Sequence, residues 1–248
     1  MHFPVLIPLG PWRVHPHPVF EIVAYVAALV LYRRRRAKAG DVIDDDSRLA
    51  VLFGAAVGAA VGAKLLAWLD DPAETWRLWK ATPAAFLQGK SIVGGLLGGT
   101  VGVELMKRRT GVTTRTGDLF VLPLCVAIAV GRIGCFLSGV SDRTCGGATS
   151  VAWGIDMGDG VPRHPLPLYE IAFLLLLAAF LARRKVPNGA LFREFMALYL
   201  SWRFLIDFLK PHGPCFFGLG GVQIGAAAAL PFFREGILSL CGRRPGPP

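Results

Sequence analysis

Seven apolar runs, with clusters of arginine and lysine closing every second connection, constrain this 248-residue chain more than any other feature. They fall at about 18–33, 48–69, 91–106, 118–138, 166–183, 190–209 and 217–233. A helix needs roughly 20 predominantly apolar residues to cross a bilayer. The third and seventh runs are short, so they tilt little or sit inside a bundle. With 53% hydrophobic residues and a mean hydropathy of +0.50, the chain is too apolar for a soluble domain of its length. The formal charge of +10 does not mark a nucleic-acid partner. The bases stand in short groups where apolar runs end, the usual pattern of cytoplasmic loops. The expected fold is an all-α membrane protein, one domain over 1–248, built as a bundle of about seven transmembrane helices.

The same bases orient the bundle. The 33–48 connection holds Arg33, Arg34, Arg35, Arg36, Lys38 and Arg48. Lys107, Arg108, Arg109 and Arg115 stand in 107–115, and Arg183, Arg184, Lys185 and Arg193 in 183–193. The tail adds Arg234, Arg243 and Arg244. The N-terminus and the 139–165 loop are therefore expected outside, and the C-terminus in the cytoplasm. Residues 1–14 lack a basic start and a small-residue cleavage site, so the first span is expected to act as the targeting signal. The five cysteines form no CxxC pair. Cys145 and Cys215 either pair outside the membrane or stay reduced.

A short motif occurs twice. VHPHPVFEI begins at Val14 and RHPLPLYEI at Arg163, 149 residues later, and five of the nine positions are identical. Pro18 and Pro167 fall at the start of their helices, where a missing N–H costs nothing. Each copy ends in a basic stop, Arg34-Arg35-Arg36 and Arg183-Arg184-Lys185. The glycine-rich segments GAAVGAAVGA and GGLLGGTVG read as faces where helix backbones approach closely in lipid.

Ionisable residues within apolar runs are costly and mark sites or pairs. Glu21, Glu170, Lys64, Arg132, Arg203 and Asp207 come from five runs, and all fall at a similar depth near the outer side. Arg203 and Asp207 are spaced to satisfy each other. Three cations at the depth of a lipid phosphate have a second use. Arginine binds phosphate through a fork of donors and lysine as a point charge. Gly131 and Gly134 would let a head group approach the backbone beside Arg132. Glu104 lies at the inner side and is expected to snorkel.

GRIGCFLSG, followed by VAWGIDMGDGVPRHPLPLYE, resembles the signature region of the prolipoprotein diacylglyceryl transferases. GKSIVGGLLGG, Asp118 in TGDLFVLPL, WRFLIDFLKP and VQIG are similar to further segments of that family, so the resemblance covers most of the chain. It implies a bacterial inner-membrane enzyme that moves a diacylglyceryl group from phosphatidylglycerol to the thiol of a lipobox cysteine, with glycerol-1-phosphate leaving. Neither cofactor nor metal is expected. Residue by residue, Arg132 and Arg203 match the family's essential arginines, and Asp207 the acidic partner of the second. Lys64 matches an arginine, and His164, Tyr169 and Glu170 match the start of the fifth span. Gly94, Gly95 and Gln223 join the substrate-binding set, as does Glu21, which stands where the family has a tyrosine. The family's functional histidine is replaced by Val93, an asparagine by Cys135 and an acid by Val140.

Such a reaction needs cations for the departing phosphate and help for a thiol with a pKa of about 8.5. Arg132 and Arg203 are expected to serve the first need, with Lys64 in support. With Val93 in the histidine slot, His164, Glu170, His15 and Glu21 are the candidate bases. His15 and His164 either act in proton transfer or cap helix starts. Cys135 is either a thiolate nucleophile beside Arg132 or a small packing residue. Three functions remain in view: the family's transfer, transfer to a different acceptor, and phospholipid binding or transport without catalysis.

Overall fold

The computed structural model describes residues 3–82, 89–211, 216 and 218–241. Each apolar run contains a helix: α1 (Pro16–Ala39), α2 (Asp45–Asp70), α4 (Ile92–Thr110), α5 (Val121–Ser138), α6 (Leu166–Ala182), α7 (Ala190–Ile206) and α8 (Gly221–Ala229). Two more helices, α3 (Pro72–Ala81) and α9 (Arg234–Leu240), lie outside the expected runs. So do two small hairpins, β1 (Ile7–Leu9) with β2 (Trp12–Val14) and β3 (Ile155–Asp156) with β4 (Pro162–Arg163). Asp45–Asp70 and the helical stretch Asp118–Asp142 are long and apolar enough to cross a membrane, whereas Leu166–Ala182 is apolar but shorter. The last run is helical only from Gly221, and Pro231 stands in a 3-10 turn, Leu230–Phe233, that separates α8 from α9. A proline supplies no N–H to an α-helical ladder.

The described residues fall into two compact units, those within 1–40, 117–195 and 208–211 and those within 41–116, 196–207 and 212–248. The second unit is built on α2 against α4. Gly54 faces Gly102, Gly58 faces Gly98 and Gly62 faces Gly94, so closely that a Cβ on any of the six would overlap the facing backbone. The other face of α2 exposes Leu49, Phe53, Val57, Val61, Leu65 and Leu69, one residue per turn. A helix that buries glycine and exposes leucine and phenylalanine suits a surrounding as apolar as those side chains, where packing rather than water exclusion joins helices. Local caps fix the ends: Asp44 accepts from the Ser47 amide (2.9 Å), Ser91 from Gly94 (3.2 Å) and Asp70 from Val222 (3.1 Å). α4 ends in Gly111, whose φ of 71° is the left-handed cap that glycine adopts without strain.

In the first unit α5 packs against both α1 and α6. Tyr32 of α1 stacks on Phe120 with ring centroids 4.8 Å apart. Asp118 accepts from the amides of Gly189 (2.6 Å) and Phe192 (2.9 Å), so it caps the start of α7. Arg184 grips the fully buried Glu194 through two bonds of 3.1 and 2.8 Å.

Each copy of the repeated motif starts where a hairpin ends. Val14 closes β2 and pairs with Ile7, and Arg163 closes β4 and pairs with Ile155. The duplication thus extends from the nine-residue motif to a hairpin, a His-Pro step and a helix. The Cys145–Cys215 pairing falls on Cys215, outside the described residues, while Cys145 is a buried thiol.

Candidate functional site

Arg132 stands on α5 nearly two turns before its end and is 8% exposed. Its Nη2 lies 2.8 Å from Oε2 of Glu170, which is 2% exposed in the first turns of α6. The sequence placed these two at one depth, and the structure joins them. A buried carboxylate holding one edge of a guanidinium fixes its plane, and planarity is what suits arginine to phosphate oxygens.

The chain leading into α6 is fixed by backbone bonds. The Gly146 amide donates to His164 O (2.9 Å), and the His164 amide to Gly147 O (3.1 Å). His164 Nδ1 lies 3.3 Å from Tyr169 Oη, which accepts a bond from Trp153 Nε1 at 2.7 Å. His164, Tyr169, Glu170 and Arg132 therefore occupy one stretch of the first unit. In the 139–165 loop, the Gly158 and Gly160 amides hold the Asp156 carboxyl below its ordinary range. Arg163, bonded to Asp159 at 2.8 Å, does the same for that carboxyl.

Around Arg132 the two glycines differ. A Cβ on Gly131 would meet nothing within 4 Å, so the approach expected there is open. A Cβ on Gly134 would lie 2.8 Å from Phe20 Cβ and 3.3 Å from His17 Cα. Gly134 serves the contact with α1, because that helix occupies the space a head group was expected to use.

The first copy of the motif also packs against α5. Glu21, half-buried, accepts a bond from the Tyr25 hydroxyl at 2.9 Å. His15 Nε2 lies 3.4 Å from Ser141 Oγ. His17, which drew no attention in the sequence, has Nδ1 2.8 Å from Asp142 Oδ1 and 3.9 Å from Cys135 Sγ. Arg132 Nη1 is 3.8 Å from the same sulfur. The signal available was the second histidine of VHPHP, where the second copy has an apolar Leu166.

The second unit holds the other candidates. Arg203 Nη2 lies 2.8 Å from Asp207 Oδ1, the pairing their spacing permits, and Asp207 is buried. Lys64 donates to Gly89 O at 2.8 Å. Gln223, 2% exposed, accepts from the Gly220 amide (3.0 Å) and donates to Phe204 O (3.2 Å), so its amide locks the start of α8. Gly94 lies in the glycine contact with α2, while a Cβ on Gly95 would make only ordinary contacts at 3.7 Å. Val93 is 1% exposed. Glu104 is exposed and bonds Lys107 at 2.9 Å.

A model of the family described as prolipoprotein diacylglyceryl transferase matches residues 4–241. Among similar proteins is the phosphatidylglycerol–prolipoprotein diacylglyceryl transferase of Oleidesulfovibrio alaskensis, 31% identical over 95% of this chain and 91% of its own length. The protein of the same name from Nitratidesulfovibrio vulgaris is 30% identical, covering 98% and 94%. That of Geobacter sulfurreducens is 29% identical, covering 94% and 92%. The residues that carry the motif, the buried arginine–glutamate pair and the match over nearly the whole length agree: this chain belongs to the prolipoprotein diacylglyceryl transferase family.

Proposed function

We propose that the protein transfers a diacylglyceryl group from phosphatidylglycerol to the lipobox cysteine thiol of a prolipoprotein. It does so in a bacterial cytoplasmic membrane, with the N-terminus and the site on the outer side. The observation that carries this reading is the buried Arg132–Glu170 pair within the family's signature segment. As the bond between glyceryl carbon and phosphate oxygen breaks, negative charge grows on the phosphate. A preoriented guanidinium stabilises that charge without reorganising at the moment of reaction. Gly131 leaves room beside it. His164, held against Tyr169, is the base proposed for the thiol proton. Arg203, held by Asp207, is proposed as a phosphate-binding cation and Lys64 as a supporting one.

The test combines purified protein, labelled phosphatidylglycerol and a lipobox peptide. A thioether-linked peptide is expected, and its loss in Arg132→Ala. A second reading, transfer to another acceptor or binding alone, is favoured by Val93, whose apolar side chain cannot move a proton. Glycerophosphate release without thioether, or lipid binding without turnover, would replace the first reading with the second.

A further inference from the structure

Three side chains of the first unit converge without a role in the reaction described so far. His17 comes from the first turn of α1, Cys135 from the last turn of α5, and Asp142 from the 3-10 turn Gly139–Asp142. Their ligand atoms, Nδ1, Sγ and a carboxylate oxygen, all lie within 4.8 Å of one another. Nδ1 to Oδ1 is 2.8 Å and Nδ1 to Sγ is 3.9 Å. A tetrahedral zinc ion with ordinary bond lengths would separate nitrogen from oxygen by about 3.3 Å and nitrogen from sulfur by about 3.6 Å. Both nitrogen distances fall within about half an ångström of those values.

The arrangement does not fit a cysteine–histidine–aspartate relay. There the histidine uses one ring nitrogen for the nucleophile and the other for the carboxylate. Here the same Nδ1 approaches both, as it does when three donors point at one centre. We propose that His17, Cys135 and Asp142 bind a divalent cation of the zinc class. Imidazole, thiolate and carboxylate together favour zinc or cobalt over magnesium and calcium, which prefer oxygen ligands. Arg132, 3.8 Å from Sγ, favours the thiolate that such an ion requires. Its own charge is balanced by Glu170, so the pair adds no net repulsion. Three protein ligands leave a fourth position, the arrangement of catalytic rather than structural zinc. The His17 side chain is 37% exposed, so the cluster is not sealed.

The use of that position rests on the transfer reaction proposed above. The ligand it takes is the acceptor thiol, bound as thiolate once its proton has passed to the His164 base proposed above. The sulfur then bonds to the glyceryl carbon while the carbon–oxygen bond to phosphate breaks. The electron pair leaves with the glycerol phosphate, and nothing is oxidised or reduced. The site thereby supplies the thiol activation that Val93 cannot.

The full chain, stripped with chelator in detergent, is titrated with Co2+ and Zn2+. One Co2+ per chain is expected, with a thiolate-to-cobalt charge-transfer band. Cys135→Ser should remove the band, and His17→Ala and Asp142→Asn should weaken Zn2+ binding by more than the roughly 100-fold typical of an outer-sphere loss. Cys145→Ser should keep both. Wild-type protein without the band, or Cys135→Ser that retains it, overturns the site. Equal transfer rates for stripped and Zn2+-loaded protein overturn the role of the fourth position and leave the transfer reading standing. A Cys135-dependent Zn2+ site with no thioether product supports the site and sinks the transfer reading.

Discussion

The two copies of the repeated motif share a hairpin, a His-Pro step and a glutamate in the first turns of a helix, yet they end in different surroundings. α5 separates their fates. Arg132 meets the second copy through Glu170, and Cys135, three residues on, meets the first through His17. Glu170 is buried, whereas Glu21 is half-buried and bonds the Tyr25 hydroxyl. Position 17 is a histidine in one copy, and its counterpart in the other is the buried Leu166. A shared helix-start device was thus fitted with different chemistry in each copy. Burial, more than residue type, decides what each glutamate can do.

The largest effect expected is on rate. Arg132→Ala should lower transfer by about 100- to 1,000-fold, the usual loss when a preoriented donor to a growing charge is removed. Initial rates on labelled lipid measure it. Glu170→Gln leaves a buried guanidinium without its counter-charge, a change that typically costs about 3–5 kcal/mol. It should show as a lower thermal midpoint even without substrate. Gly98→Leu lies outside both copies, and its side chain would meet the Gly58 backbone. Overpacking there should cost about 1–3 kcal/mol or more. It separates general loosening, which lowers the midpoint, from the loss of phosphate stabilisation in Arg132→Ala.

The smallest effect distinguishes the hairpins. Only the second contains carboxylates, Asp156 and Asp159, and the Gly158 and Gly160 amides depress the folded pKa of Asp156. A depressed carboxylate contributes stability above its unfolded pKa and loses it as pH falls through the folded one. Between about pH 5 and about pH 3 the wild type should therefore lose more thermal stability than Asp156→Asn.

Much of this was legible in the sequence, for physical reasons that differ by region. Apolar runs and their basic ends located seven helices, because lipid-facing helices need long apolar stretches. The glycine runs of α2 and α4 read as close-packing faces, and the structure shows the two helices meeting through them. Arg203 and Asp207 paired as their i, i+4 spacing allows. The hairpins were not visible, since strands of two or three residues carry no periodicity. Nor was α3, whose sequence PAETWRLWKA is too polar and short to stand out. The His17–Cys135–Asp142 cluster could not be read either, because its members are joined only once α1 packs on α5 through Gly134. The capping of α7 by Asp118, 71 residues before Gly189, was hidden by the same distance in the chain.

The second copy, through Glu170, is proposed to set the arginine that handles phosphate, while the first copy's glutamate does not. Initial transfer rates of Glu170→Gln and Glu21→Gln, measured side by side on labelled phosphatidylglycerol and a lipobox peptide, test it directly. A loss of about 100-fold is expected for Glu170→Gln. For Glu21→Gln the expected rate is close to wild type, with stability within about 0.5 kcal/mol. Equal losses in the two variants, or full activity in Glu170→Gln, would contradict this role of Glu170.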